Sequence, residues 1–355
     1  MDYFQRATGI VTLLVGLTMA DACLNKGDSE SDSGEISTSR DSAGTTATSG
    51  TTGDEEADTD TDTDADTDAD VAAPAGVLSA GSAHTCMLNS EGAILCWGDD
   101  EDGQVSGAPD GGGFTFVSAG SANSCAIDSA GAILCWGDDT HGQTSNVPDG
   151  SNFTVVGVGS AHVCGLDTSG GIACWGQDTD LAAVSDTPNN TGYTALSVGA
   201  GHACALDGAG AVKCWGWDGY GNQVSTAPTD DGYTALGRGN WHTCALDAAG
   251  SLSCWGFDQD SQVTDTPTGD GYVDVSGASY HTCALSGAGA VECWGLTTNT
   301  ALDFGQTAGA PTDDGYVAVS VGAFHSCAVD TESAVTCWGI ADGSDRDAGQ
   351  VSDTP

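Results

Sequence analysis

Histidine and cysteine recur along this chain at a fixed spacing that could support three kinds of chemistry. The stretch HTCALDAAGSLSCWG, residues 242–256, holds one histidine and two cysteines, and related stretches appear seven times. Such side chains could bind zinc, form a catalytic cysteine–histidine pair or close a disulfide-bonded hairpin. The pairs are Cys86 with Cys96, Cys125 with Cys135, Cys164 with Cys174, Cys204 with Cys214, Cys244 with Cys254, Cys283 with Cys293, and Cys327 with Cys337.

The spacing within each pair favours a disulfide over the two other chemistries. A three-residue hairpin loop with Gly92 in its left-handed position brings Cys86 opposite Cys96 as a non-hydrogen-bonded pair. The Cα atoms of such a pair lie about 4.5 Å apart, a separation that a disulfide tolerates. Zinc would need a fourth ligand, and a catalytic pair repeated seven times would be without purpose. We therefore predict seven disulfides, with no catalytic residue, no metal site and no cofactor.

A histidine stands two residues before six of the seven first cysteines, and Asn123 replaces it in the second repeat. A histidine at a fixed glycine-containing turn most simply hydrogen-bonds to backbone, and a ring of metal-binding imidazoles is the alternative. The six are His84, His162, His202, His242, His281 and His325.

The repeat length predicts an all-β fold, a seven-bladed β-propeller. First cysteines follow one another at intervals of 39, 39, 40, 40, 39 and 44 residues, a period typical of repeat proteins. Each unit contains an aromatic-led strand such as YTALSVG, the two hairpin strands and a segment such as GQV that we assign to a fourth strand. Four short antiparallel strands per unit form a propeller blade. An open solenoid is the rival, and it would expose two strand edges without obvious caps.

The blade pattern resembles the repeat of the regulator of chromosome condensation (RCC1) family across residues 77–355. Seven WG pairs and four G-Q dipeptides carry the likeness, whereas the third and fifth repeats lack G-Q and the fourth has Gly221, Asn222 and Gln223. This resemblance implies a seven-bladed propeller. The doubled cysteines and short blades are most similar to secreted bacterial members such as the β-lactamase-inhibitor propellers. The G-Q dipeptides begin at Gly103, Gly142, Gly305 and Gly349.

Composition divides the chain into three parts: residues 1–23, 24–75 and 76–355. The first has an apolar run too short to span a bilayer and is typical of a signal peptide. Cys23 directly behind it is similar to the lipidated cysteine of bacterial lipoproteins, although Ala20 and Ala22 also fit an ordinary cleavage site. The second part is rich in Ser, Thr and Asp and is predicted to be a disordered acidic linker. We expect a secreted or cell-envelope protein of a bacterium, with a membrane link only through a lipid at Cys23.

The net charge of −45 excludes nucleic acid as a partner. Only Lys213, Arg238 and Arg346 are basic beyond the linker, whereas binding to phosphates requires a surface that displaces their counterions. Alternating aspartates in the linker resemble calcium-binding loops but lack the turn glycine and the final glutamate of an EF-hand. At most weak calcium association is expected.

The residue before the histidine position differs among the repeats and suggests a binding surface. It is small in the first four repeats but Trp241, Tyr280 and Phe324 in the last three. Adjacent aromatic side chains on one propeller face have the composition of a protein-binding hot spot, and in the inhibitor propellers this position faces the bound enzyme. The alternative is that they only close the channel mouth. Further aromatics that would extend a second surface follow CWG at Trp217, Tyr220 and Phe257.

These patterns predict a monomeric, non-enzymatic module that binds an extracellular or periplasmic protein, inhibition of a secreted enzyme being a narrower form of this function. Nucleotide exchange on a GTPase, an activity of nuclear relatives, is improbable on an acidic chain with a signal segment. The alternative is a calcium- or carbohydrate-dependent adhesin or hydrolase that uses the acidic loops 99–102 and 342–347.

Overall fold

The computed structural model describes residues 77–179, 181–219, 221–296, 302–344 and 346–355. The predicted signal segment, Cys23, the acidic linker and Tyr220 therefore lie outside the described residues. Within these ranges no helix is long and apolar enough to cross a membrane.

Seven antiparallel sheets of three strands form the propeller, one sheet for each repeat. The inner strands are β1 (Leu78–Ala80), β4 (Phe114–Ala119), β7 (Phe153–Val158), β10 (Tyr193–Val198), β13 (Tyr233–Gly237), β16 (Tyr272–Gly277) and β19 (Tyr316–Val321). The middle strands are β2 (His84–Leu88), β5 (Asn123–Asp128), β8 (His162–Asp167), β11 (His202–Asp207), β14 (His242–Asp247), β17 (His281–Ser286) and β20 (His325–Asp330). The outer strands are β3 (Ile94–Gly98), β6 (Ile133–Gly137), β9 (Ile172–Gly176), β12 (Val212–Gly216), β15 (Leu252–Gly256), β18 (Val291–Gly295) and β21 (Val335–Gly339).

The hairpin of the middle and outer strands has the predicted register. The loop turns at Gly92, whose φ of 70° is left-handed, and Ser333 adopts a φ of 66° at that position in the seventh blade. Cys86 lies opposite Cys96, and the same pairing recurs in every blade with Cα separations of 4.0–4.1 Å.

All seven predicted disulfides are present, and each joins the middle strand to the outer strand of its own blade. They link Cys86 to Cys96, Cys125 to Cys135, Cys164 to Cys174, Cys204 to Cys214, Cys244 to Cys254, Cys283 to Cys293, and Cys327 to Cys337. The alternating strand pattern therefore predicted every partner correctly.

The predicted fourth strand is wrong, because the GQV segment folds into a tight turn instead. In the first blade one carboxylate oxygen of Asp100 accepts the backbone N–H groups of Val105 and Ser106, at 2.9 and 2.8 Å. A side chain that satisfies consecutive N–H groups stabilises a turn and leaves no donors for a strand ladder. Asp139, Asp178, Asp218 and Asp258 bind the corresponding N–H pairs in the next four blades.

The hydrophobic core lies between neighbouring blades. Ile127 of the second blade packs in one cluster with Phe153, Val158 and Trp175 of the third. We call each interface between adjacent blades a seam, and related clusters fill the other seams. The CWG tryptophan is the largest member of each cluster, and its burial stabilises the contact between two blades.

Each CWG tryptophan also hydrogen-bonds to the turn of the preceding blade. The indole N–H of Trp136 donates to the carbonyl of Gln104 at 2.9 Å, and that of Trp215 donates to the carbonyl of Ala183 at 3.0 Å. The fifth repeat, which lacks the G-Q dipeptide, supplies this carbonyl from Gln262. The seam therefore needs a backbone acceptor at this position and tolerates different side chains.

The ring closes between the seventh and first blades, as the sequence predicts. Leu78, Met87 and Trp97 pack against Cys327 and Val329. The indole of Trp97 donates to the carbonyl of Gln350 at 3.0 Å, with the same geometry as at the other seams. Each blade consists of three consecutive strands, so closure joins two complete blades and does not complete a divided one.

Candidate protein-binding face

Two kinds of loop meet on one face of the propeller because of the strand register. His242 at the start of a middle strand pairs with Gly256 at the end of the outer strand, and this pairing recurs around the ring. Residues just before the histidine and residues just after CWG are therefore neighbours. We call this side of the ring the histidine face, and it carries all the described aromatic residues that the sequence singled out.

Trp217 and Trp241 form an aromatic pair across the seam between the fourth and fifth blades. Their ring centroids lie 5.4 Å apart with an interplanar angle of 68°, an edge-to-face arrangement typical of favourable aromatic contacts. Phe257 is held beside them, since its backbone N–H donates to the carbonyl of Trp241 at 2.9 Å. All three residues are half-buried.

Tyr280 and Phe324 form a second aromatic pair across the seam between the sixth and seventh blades. Their rings are stacked with centroids 6.1 Å apart. Phe304 meets Phe324 edge-on at 5.8 Å, and the guanidinium of Arg346 lies 5.3 Å from the centre of the Phe324 ring. Burial and nearby Asp260 raise the pKa of Tyr280, while Arg346 opposes the shift.

Sequence reasoning missed Phe304 and Arg346 as members of this surface. The signal was the longer interval of 44 residues before the seventh repeat, which inserts extra residues into the loop that carries Phe304. Leu181 was also missed. A methyl group on Gly201 would lie 3.2 Å from Cδ2 of Leu181, so this leucine covers the position that is aromatic in the last three blades.

The aromatic surface is confined to one part of the histidine face. Blades four to seven contribute the aromatic side chains, whereas Ala83, Ala122 and Ala161 hold the position before the histidine or Asn123 in blades one to three. The structure thus places Trp217, Trp241, Phe257, Tyr280 and Phe324 on a single face. It resolves them into two clusters.

Five of the six buried histidines join neighbouring blades through side-chain hydrogen bonds, not through backbone as expected. His242 Nε2 lies 2.7 Å from the hydroxyl oxygen of Thr282 in the next blade. The same contact links His84 to Ser124, His202 to Thr243, His281 to Ser326 and His325 to Thr85, at 2.7–2.9 Å. Burial lowers the pKa of all six histidines to about 3 or 4, so they are neutral at physiological pH. Each hydroxyl residue stands between the histidine position and the first cysteine of its repeat.

Comparison with known proteins agrees with this geometry. The model of the regulator of chromosome condensation (RCC1) repeat matches residues 78–104, 114–143 and 193–222, in the first, second and fourth blades. Three of the seven repeats are thus similar to the RCC1 repeat. A comparison with curated protein sequences gives no match.

Solved structures with the same fold include two receptor kinase ectodomains and yeast RCC1. The ectodomain of the Physcomitrella patens receptor kinase CR4 is 22% identical with a TM-score of 0.63, over 74% of this chain and 73% of that one. The CRINKLY WD40 ectodomain of the Arabidopsis thaliana receptor kinase ACR4 has the same identity, 22%, and the same TM-score, 0.63, over 75% and 95%. Yeast RCC1 (Prp20), solved bound to Kap60, is 16% identical with a TM-score of 0.54, over 75% and 80%. These similarities concern the fold of the RCC1-like propeller.

Carboxylates in the acidic loops of this RCC1-like propeller accept hydrogen bonds that stabilise turns. Asp99 accepts a hydrogen bond from Gln104 at 2.8 Å, and Asp100 caps the turn described above. Asp342 and Asp347 accept backbone N–H groups of the last loop. No group of three or more His, Cys, Asp or Glu side chains is arranged to hold a metal ion among the described residues.

Proposed function

We propose that the RCC1-like propeller binds a protein partner through the aromatic part of its histidine face. The supporting observation is that Trp241, Tyr280 and Phe324 occupy one structural position on three consecutive blades. Each blade seam already has its own buried tryptophan, so these aromatics are additional to the core. Half-buried aromatic side chains held by their neighbours lose little rotamer entropy on binding, which is why such residues dominate hot spots.

The partner is proposed to be an extracellular or cell-envelope protein. Seven disulfides indicate that the propeller folds in an oxidising compartment. Two neighbours in fold are ectodomains of receptor kinases. Secretion through residues 1–23, with or without a lipid at Cys23, would deliver the chain to such a place. In this proposal the protein is a binding module and has no catalytic activity of its own.

Affinity capture with paired variants tests the binding surface. The full chain is immobilised, surface proteins of the native cell are applied, and captured partners are quantified by mass spectrometry. The double variant that combines Trp241→Ala with Tyr280→Ala should lose at least about 100-fold in affinity for the captured partner, since two hot-spot residues each contribute about 2 kcal/mol or more.

The matched control combines Leu95→Ala with Leu134→Ala. These leucines lie on outer strands, away from the histidine face, and are 38% and 39% exposed. This variant should capture the partner as the native protein does. Equal capture by the variant of Trp241 and Tyr280 would refute the proposed surface.

A further inference from the structure

Arg238 occupies a position at which every other blade has a small or aliphatic residue. It directly follows β13 at the central channel, which we define as the space enclosed by the seven inner strands. The inner strands of adjacent blades contact one another around the whole ring, so a long side chain placed here extends into the channel. The equivalent residues are Ala80, Ala119, Val158, Val198, Gly277 and Val321.

The guanidinium of Arg238 reaches the opposite side of the channel. Its Nη1 donates to the carbonyl of Ala119 in the second blade and lies 3.5 Å from the carbonyl of Ala80 in the first. These two blades are three positions away from the fifth in either direction around the ring. The side chain therefore crosses the channel, and one end of its guanidinium is fixed by backbone acceptors.

The charge of Arg238 is compensated only by neutral groups among its described hydrogen-bond partners. These are the two carbonyls and the amide oxygen of Asn240. Burial lowers the pKa of Arg238 to about 10, so the guanidinium stays protonated at neutral pH. The positive charge of Arg238 also helps to lower the pKa values of His84 and His162. A buried charge without an ionic partner is costly, and an anion beside it would remove much of that cost.

One edge of the guanidinium lacks the hydrogen-bond acceptors that such an anion would supply. The buried Nε atom has no hydrogen-bond partner among the described residues, and Nη2 has only the distant Asn240 Oδ1 at 3.5 Å. Nε and Nη2 lie on the same edge of the planar group and present two parallel N–H bonds. This is the geometry with which arginine binds the two oxygens of a carboxylate.

We propose that the central channel binds a carboxylate on the Nε–Nη2 edge of Arg238. Arg238 as a residue is half-buried. The large negative net charge does not prevent carboxylate binding, because charges more than about 8 Å away in water are screened at physiological ionic strength. The carboxylate comes from a free small anion or from an acidic side chain that a partner inserts through the channel mouth. The site does not depend on the proposed aromatic surface.

Formate labelled with ¹³C is the probe for this site. Line broadening of its NMR signal is measured against full-length protein at constant ionic strength. The native protein should bind formate saturably. Arg238→Lys keeps the positive charge but lacks the two parallel N–H donors, so this variant should bind formate at least about tenfold more weakly. Arg238→Met should show no binding, whereas Lys213→Met, which removes an exposed cation on an outer strand, should match the native protein.

The result that overturns the site is formate binding by Arg238→Lys that equals native binding, or no saturable binding by the native protein. If Arg238→Met does not fold, as near-ultraviolet circular dichroism would show, the comparison between native protein and Arg238→Lys decides. Competition between formate and the captured protein partner then distinguishes the two sources of the carboxylate. Formate that displaces the partner indicates an inserted acidic side chain, and bound formate that leaves capture unchanged indicates a free anion.

Discussion

Five of the seven blades place a hydroxyl residue between the histidine position and the first cysteine, and two do not. Val163 and Ala203 are the exceptions. As a result, Nε2 of His162 has no partner, unlike Nε2 of the other five histidines, and both amide atoms of Asn123 lack one too, among the described residues. Unsatisfied buried polar groups are destabilising, so the seams on either side of the third blade are weaker than the others.

Replacing Ala203 with serine should strengthen the seam beside His162. The new hydroxyl would occupy the place that Ser124 and Ser326 hold in their blades, 2.8 Å from the histidine nitrogen. We expect a gain of about 1 kcal/mol in the free energy of unfolding, measured by urea denaturation. Ala205→Ser adds the same hydroxyl to a buried alanine two residues along β11, with no histidine partner, and should destabilise. A loss of stability in Ala203→Ser equal to that of the control would contradict the prediction.

The buried histidines should make the propeller less stable in mild acid. Their folded-state pKa values of about 3 or 4 lie below the ordinary value of about 6.5. Their stabilising contribution is therefore complete above about pH 6.5 and is lost as the pH falls toward 4. Each buried histidine costs about 1.4 kcal/mol per pH unit in that window.

The urea midpoint should fall steeply between about pH 6.5 and 5, the window given by those histidine pKa values. Asp274 acts in the opposite sense, because burial raises its pKa to about 6, and its contribution is lost as the pH rises. One such group does not offset six histidines. His162→Asn, which copies Asn123 of the second blade, should make the pH dependence shallower. A midpoint that stays constant across this window would contradict the assignment of neutral buried histidines.

At the scale of the element, each blade is a short sheet held by one disulfide. A bridge that closes a loop of this size contributes about 3 kcal/mol in the chain-entropy account. The double variant that combines Cys204→Ser with Cys214→Ser should lose about that much in urea unfolding. Cys23→Ser, which changes the one cysteine outside the seven pairs, should leave the midpoint where it is. Equal midpoints for the two variants would show that packing alone holds the blade.

The hairpin could be predicted from sequence because its determinants are local. Cys96 lies ten positions after Cys86, and the left-handed position of Gly92 fixes the register between them. The GQV segment was misassigned because its role is set by the next blade. The partner of the Gln104 carbonyl is Trp136, 32 residues further on, and a backbone acceptor has no residue signature.

The candidate site was predictable in position but not in extent. Trp241, Tyr280 and Phe324 stand out because repeats can be aligned with one another, so a change at one position is visible. Phe304 directly precedes a G-Q dipeptide, but its contact with Phe324 depends on the course of the longer loop before it. The equivalent residues are Asp102, His141 and Ala348. The reach of Arg238 to Ala119 depends on the diameter of the ring, a quantity that no local pattern contains.

At the scale of the whole molecule, the seam between the seventh and first blades has the same indole-to-carbonyl hydrogen bond as the other seams. Trp97→Phe removes the hydrogen bond to Gln350 at the seam between the seventh and first blades. Trp255→Phe removes the corresponding bond to Gln223 at an internal seam. Both variants should lose a similar amount, about 1 kcal/mol, in urea unfolding. If Trp97→Phe left the stability in urea unchanged while Trp255→Phe lowered it, the ring would be open in solution.

The indole-to-carbonyl bond between consecutive blades repeats at the closing seam without change of geometry, and each blade is one uninterrupted piece of chain. The position of the backbone break is therefore incidental to the architecture. A circularly permuted gene that links residue 355 to residue 77 and starts at the turn before another inner strand should encode the same ring. Duplication of a whole repeat would likewise add one complete blade, which gives such proteins a simple route to a different number of blades.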